Sequence, residues 1–248
     1  MRRRLVLASG VVLGLVAGCA SDDGERQPGD PVTRAEAGVL AELLHRNHER
    51  GGADFVLTAP YAEDELLTLT GEVDFRESVA TGEAVLSFSD GRDDRSLTVT
   101  FTPEDIWFGD VPGLTGADAG ATLLRRPVVT DDGDGPPRLL DVAVELLLNL
   151  SSRRDDAPDA FLDGKHTWQG QRSIDGRLTT VFGLPEGRRV AVSAADDLMA
   201  QFVTPLGGDD VQVTVTLSGH GSRSIEPPGD EGTAEASDHP EVVAALGL

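Results

Sequence analysis

The sequence predicts an α+β fold, one antiparallel sheet with its helices gathered on one face. Three observations lead there. Several short segments alternate apolar and polar residues at period two, so each presents a single apolar face. Two other segments carry apolar residues at helical period. The order along the chain is helix, strand meander, long loop, apolar helix, then more strands.

Thr33-Arg34-Ala35-Glu36 has the spacing of a capping box, so a helix starts there. Its stripe is Val39, Leu40, Leu43 and Leu44, and Gly51-Gly52 ends it. In the meander, Leu67, Leu69, Val73 and Phe75 share a face opposite Thr68, Thr70, Glu72 and Asp74. Ala84, Leu86 and Phe88 alternate with Val85, Ser87 and Ser89, and Leu97, Val99 and Phe101 with Thr98, Thr100 and Thr102. Glu77-Ser78 and the run from Asp90 to Asp94 supply the turns. Residues 109–137, rich in Gly, Pro and Asp, read as mostly loop.

From Arg138 to Leu150 the polar residues are Asp141, Glu145 and Asn149, one narrow stripe. Leu139, Leu140, Val142, Leu146, Leu147 and Leu150 occupy much of the remainder, and a helix so widely apolar needs a partner around most of its circumference. A short helix is expected near 157–163. Strands resume with Ile174, Leu178 and Phe182 on one face across a kink at Gly176, then Val190 and Val192. The cleanest alternation is Val211, Val213, Val215 and Leu217 against Gln212, Thr214 and Thr216. Residues 226–238 are Pro, Gly and acid rich and read as disordered, and Asp238 to Leu248 as a terminal helix.

The N-terminus speaks to compartment. Arg2, Arg3 and Arg4 precede an apolar stretch from Leu5 to Ala17, too short for a transmembrane helix, which needs roughly 20 residues. A basic flank, a short apolar core and small residues at its end make a secretory signal. Its end, Leu15-Val16-Ala17-Gly18-Cys19, resembles the bacterial lipobox, and Cys19 is the only cysteine in the chain. The resemblance implies cleavage after residue 18, a lipid-modified Cys19 and anchorage on the extracytoplasmic face of the cell membrane. The alternative is an ordinary signal peptide with an incidental cysteine. The expected organisation is therefore a signal peptide (1–18), a lipidated tether (19–32), an α+β domain (33–228) and an acidic, partly disordered tail (229–248).

The chain has 21 Lys+Arg against 43 Asp+Glu. Loss of the signal removes three arginines, leaving 18 against 43, a net charge of −25. That argues against nucleic acid as a partner, which calls for a basic patch. With Cys19 acylated no disulfide can form, so stability rests on burial and hydrogen bonding.

Catalytic signals are weak. His45 and His48 stand three apart on the first helix, near Glu42 and Glu49, a spacing that could serve a metal, but they read as a solvated polar face opposite the Leu40, Leu43 and Leu44 stripe. His220, in Ser218-Gly219-His220-Gly221-Ser222, is no nucleophile elbow. Asp131-Asp132-Gly133-Asp134-Gly135 lacks the register and distal Glu of an EF-hand. Trp107 and Trp168 sit in strand contexts. No catalytic residue, metal site or cofactor is expected. The apolar helix and the one-sided sheet raise a different question. Either small aliphatic side chains fill the space between them, or a cavity remains for an apolar ligand; an empty one costs ~24 cal/mol per Å³.

Three stretches resemble the LppX/LprG family of mycobacterial lipoproteins, relatives of the LolA and LolB carriers. They are Leu69-Thr70-Gly71-Glu72-Val73-Asp74-Phe75 running into Ala80-Thr81-Gly82-Glu83-Ala84, the helix Leu139 to Leu150 with the short helix and Gly-containing strand after it, and Val213 to Gly221 followed by Ile225-Glu226-Pro227. The likeness lies in their order and spans roughly residues 33–228. It implies a curved antiparallel half-barrel with helices on its concave face, and a pocket for acyl chains of envelope lipids or glycolipids. The cavity candidates are then Leu67, Leu69, Val73, Leu86, Val99, Leu139, Leu140, Val142, Leu146, Leu147, Leu150, Val213 and Val215. Partners would be the membrane through the anchor, a lipid or glycolipid, and a lipid exporter. The competing expectations are a non-enzymatic envelope interaction or stress-sensing lipoprotein with a filled core and an acidic surface and, last, an enzyme.

Overall fold

The computed structural model describes residues 26–62, 64–111, 114, 120–129, 138–206 and 212–246. The lipobox and Cys19, and the acidic run 131–135, lie outside the described residues.

Helix α1 (Arg34–Arg50) starts as its sequence dictates. The Thr33 hydroxyl accepts from the Glu36 backbone N–H, the Glu36 carboxylate accepts from that of Thr33, and Gly51 closes the helix in the left-handed region. Burial pulls the Glu36 carboxyl upward, but hydrogen bonds from Arg26 and Thr33 outweigh it and hold the group below its ordinary value. The chain then builds β1 (Gly52–Ala62), β2 (Glu65–Asp74), β3 (Val79–Phe88), β4 (Arg95–Phe101), β5 (Asp105–Gly109) and β6 (Leu123–Pro127). After α2 (Leu139–Leu148) come β7 (Thr167–Ile174), β8 (Arg177–Gly183), β9 (Arg189–Ser193), β10 (Met199–Pro205), β11 (Gln212–Ser218), β12 (Thr233–Glu235) and α3 (Pro240–Leu246).

These strands form one curved sheet in the order β12-β6-β5-β4-β3-β2-β1-β11-β10-β9-β8-β7. It has two ends and is not closed. Every pairing is antiparallel except that of β12 with β6, so the sheet is mixed, where the sequence suggested a purely antiparallel one. The sheet is apolar on one face, here called inner. Phe55 and Leu57 of β1, Leu69 and Val73 of β2, Val99 and Phe101 of β4 and Val213, Val215 and Leu217 of β11 are all at most 1% exposed. They form one cluster with Leu40 and Leu43 of α1 and Val144 and Leu147 of α2. Both helices therefore pack on the inner face, and at ~25 cal/mol per Å² this burial is the main stabilising term.

Within the stretch 109–137, expected to be mostly loop, lies the five-residue strand β6. Several expectations are corrected. Ile174 does not share the face of Leu178 and Phe182, because Asp175 (φ 49°) and Gly176 (φ 76°) make a two-residue hairpin turn rather than a kink. Positive φ at both central residues is what the type I′ turn requires, and Asp-Gly supplies it. Ile174 then faces the outer side, and Leu178 is 55% exposed. The tail expected to be disordered contributes β12, which Arg125 of β6 secures through its ion pairs to Asp230 and Glu235. The end of the expected tether is also fixed: Gly29 N–H donates to Trp168 O (2.8 Å) and Trp168 N–H to Asp30 O (2.7 Å), extending the sheet along the edge of β7. The short helix near 157–163 is a 3₁₀ turn, Pro158–Phe161.

Candidate functional site

The candidate site is the interface between α2 and the inner face. Ten of the thirteen sequence candidates are buried there together: Leu67, Leu69, Val73, Val99, Leu139, Leu140, Leu147, Leu150, Val213 and Val215. Leu86 and Leu146 are half-buried against the same cluster. Val142 is half-buried and is not among the residues packed on it. Packing is graded along the strands. At the end where β2 turns into β3, Val73 and Ala80 and, in β4, Phe101 are inaccessible. Toward the other end, Leu67 and Leu97 rise to 8% and 9%, and Leu86 and Phe88 are half-buried. Phe202 of β10 and Leu206 just beyond it are half-buried too. The apolar face is thus covered more tightly at one end than at the other.

Two polar devices hold α2 in place. Sequence reading put Asp141 in a polar stripe, yet it is 1% exposed, while Glu145 and Asn149 face out. Arg126, an inner-facing residue of β6, donates to Asp141 Oδ1 (2.6 Å) and Oδ2 (2.9 Å). The Val129 backbone N–H adds a third bond at 3.0 Å. Arg126 is itself 4% exposed and its guanidinium stands 5.7 Å from the centre of the Phe108 ring. At the far end of α2, Asn47 of α1, fully buried, donates to the Leu150 carbonyl at 2.7 Å. Neither partner was identified from sequence. The usable signal was an arginine at an inward position of a Leu-Leu-Arg-Arg-Pro run, readable only once β6 is recognised as a strand.

The remaining sequence candidates do not converge on chemistry. His45 contacts the Ser152 carbonyl (3.3 Å) and His48 the Phe75 carbonyl (3.2 Å), so the two rings serve chain segments on either side of α1. Among the described residues no group of three His, Cys, Asp or Glu could hold a metal. Trp107 is 6% exposed on the outer face, and Trp168 is half-buried beneath the Arg26 guanidinium, 5.0 Å away. A shallow open depression on the outer face is bordered by Asp54, Glu72, Glu83 and Thr98. There Arg223 binds both Asp54 (2.6 Å) and Glu72 (3.1 Å).

His220 has a consequence for stability. Burial, first, and then the Arg177 guanidinium push its imidazole below the ordinary value; Arg50 and Arg223 add to this and Asp196 opposes it. The folded protein therefore favours the neutral ring, while the unfolded chain takes up a proton near pH ~6.5. Stability is then level above that pH and falls as pH drops below it. The urea midpoint should decline between roughly pH 7 and pH 5, and less steeply in His220→Gln. An equal decline in the variant would place the loss elsewhere.

No helix among the described residues is long and apolar enough to cross a membrane. No protein-family model matches the sequence, and no curated protein matches it. Among solved structures the fold is similar to that of LprF from Mycobacterium bovis, at 13% sequence identity and a TM-score of 0.47, over 80% of this chain and 98% of that one.

Proposed function

We propose that this chain is a membrane-anchored extracytoplasmic lipoprotein that takes acyl chains of envelope lipids or glycolipids between α2 and the inner face of the sheet, and carries them without chemistry of its own. Cys19 is the anchor. The observation that supports this reading is the graded inner face, a largely apolar surface whose side chains become partly accessible toward Leu86, Phe202 and Leu146. An acyl chain entering there gains ~25 cal/mol per Å² of apolar surface withdrawn from water, and needs no polar partner. The family resemblance of the Leu69–Ala84 and Val213–Pro227 stretches points the same way.

The test is mass spectrometry of organic extracts from the protein purified without detergent. A stoichiometric phospholipid or glycolipid is expected. Leu146→Asp is the informative variant: Leu146 is half-buried on α2, so a charge there blocks the apolar path without the unfolding that a charge at inaccessible Leu147 would bring. A folded Leu146→Asp protein is expected to carry no lipid; wild-type lipid content in it would sink the proposal.

One observation favours a second reading. Ten of the thirteen cavity candidates are already buried against protein, as they would be in a filled core. On that reading the chain is an envelope interaction protein whose partners meet its acidic surface. Lipid-free extracts, together with no uptake of a fluorescent fatty acid, would establish it.

A further inference from the structure

The acidic character of this chain is not evenly spread. The residue pairings define which side chains of β7–β11 face away from the helices. No Asp or Glu is among those side chains, although the chain has 43. Three arginines are, and each reaches across neighbouring strands to a neutral oxygen. Arg172 of β7 donates to Gln201 Oε1 of β10 (2.6 Å), Arg189 of β9 to Gln212 Oε1 of β11 (2.9 Å), and Arg177 of β8 to the Leu217 carbonyl (2.6 Å). A small apolar cluster of Ile174, Val181 and Ala191 lies on the same face. A guanidinium bonded to an amide or a carbonyl keeps its full charge. Of the carboxylates near this half-sheet, Glu186 and Asp197 lie in turns and pair with Arg188 and Arg46, while Asp54 and Glu72, on the neighbouring strands β1 and β2, are bound by Arg223. Beyond a Debye length of ~8 Å, opposing charges elsewhere on the molecule are largely screened, so an approaching surface senses this face rather than the net charge.

The position of the N-terminus says what approaches. Residues 29–32 run along the edge of β7, and Arg26 is tied to Glu36 (2.8 Å) and to the Pro31 carbonyl (3.0 Å). From Arg26 to Cys19 is seven residues, a reach of at most ~25 Å. A lipid on Cys19 therefore keeps the β7 edge within that distance of the bilayer.

We infer that the outer face of β7–β11 docks flat on anionic lipid headgroups of the anchoring membrane through Arg172, Arg177 and Arg189. This rests on Cys19 bearing the lipid, as in the function proposed above. Docking leaves the inner face and α2 turned away from the headgroups. Exchange of an acyl chain with the membrane then requires release of this face, and local headgroup charge sets how often that happens.

The test uses the acylated chain reconstituted in vesicles of phosphatidylcholine alone, or of equal parts phosphatidylcholine and phosphatidylglycerol. A fluorophore is placed through Thr214→Cys, on the outer face of β11, and a quencher is carried on a fraction of the headgroups. Thr214 is four strands from the β7 edge, ~19 Å at strand spacing, so tethering alone does not bring it to the surface. The expected result is strong quenching with phosphatidylglycerol, little without it, and loss of the difference in half-molar salt. Arg172→Gln with Arg189→Gln should lower the ratio of docked to undocked protein on the order of 25-fold, about fivefold for each arginine. Arg177 is left in place because it holds the Leu217 carbonyl. Quenching independent of phosphatidylglycerol, or unchanged in the double variant, overturns the inference. Failure of the protein to co-float with phosphatidylcholine vesicles would instead remove the anchor, and the inference with it, while leaving lipid binding in extracts as a separate result.

Discussion

Replacing Asp141 with leucine, or Arg126 with methionine, is expected to cost ~3–5 kcal/mol of folding stability, whereas making both changes together should restore most of it. The asymmetry follows from burial. The two side chains are 1% and 4% exposed and share two hydrogen bonds. Removing either leaves a charge that neither water nor another charged side chain satisfies. Removing both exchanges a costly desolvated pair for apolar contacts with Phe108, Val144 and their neighbours. Denaturant titrations of the two single variants and the double variant form a cycle whose coupling energy isolates the pair. Single variants each losing under ~1 kcal/mol would mean that the pair is hydrated in solution. The pair also bears on function. It is the link between the N-terminal turn of α2 and the sheet, so the single variants should loosen the helix that covers the proposed acyl site.

That pair shows where sequence reading stops. The capping box at Thr33, the helical stripe of α1, the meander from β2 to β4 and the alternation of β11 are written in local spacing, and the structure has each of them. What escaped has identifiable causes. The inner side of β1 alternates Ala53, Phe55, Leu57 and Ala59, and its two alanines weaken the apolar signal. The pattern of β10 is interrupted by an irregularity between Met199 and Gln201. In β6, Arg126 stands where an apolar residue marks a strand, because its neutralising partner lies fifteen residues away on another element. Strand β12 is three residues long and exists only through its pairing with β6. Asp175-Gly176 looks like a kink if the segments on each side continue one strand, but the positive φ of both residues reverses the chain. Of the candidate site, the apolar residues were legible because burial follows pattern, while Arg126 and Asn47 were not, because each is defined by a partner far off in sequence.

A methyl group at Gly71 or Gly82 is expected to cost about 3 kcal/mol or more, the upper end of what overpacking costs. The two residues are direct partners across β2 and β3, both on the inner face. A Cβ on Gly71 would stand 2.1 Å from the Thr81 carbonyl oxygen, and one on Gly82 would stand 2.3 Å from that of Thr70. Both obstacles are backbone, which cannot swing aside as a side chain can, so the strands themselves must move apart. Such a close approach marks a bend that only glycine allows. The bend lies between the central strands β1 and β11 and the flank β4–β6 that carries Arg126. Gly71→Ala and Gly82→Ala should therefore disturb the seat of α2 as well as the sheet, lowering the urea midpoint and the lipid content of extracts together. Gly38 provides the contrast: it lies in α1 with open space where its Cβ would be, so Gly38→Ala should stabilise by up to ~1 kcal/mol through helix propensity. If all three alanine variants shifted the midpoint equally and in one direction, the bend at Gly71 and Gly82 would not be a requirement of the fold. Opposite signs, with lipid lost only in the Gly71 and Gly82 variants, would tie the curvature of the sheet to the apolar site that it frames.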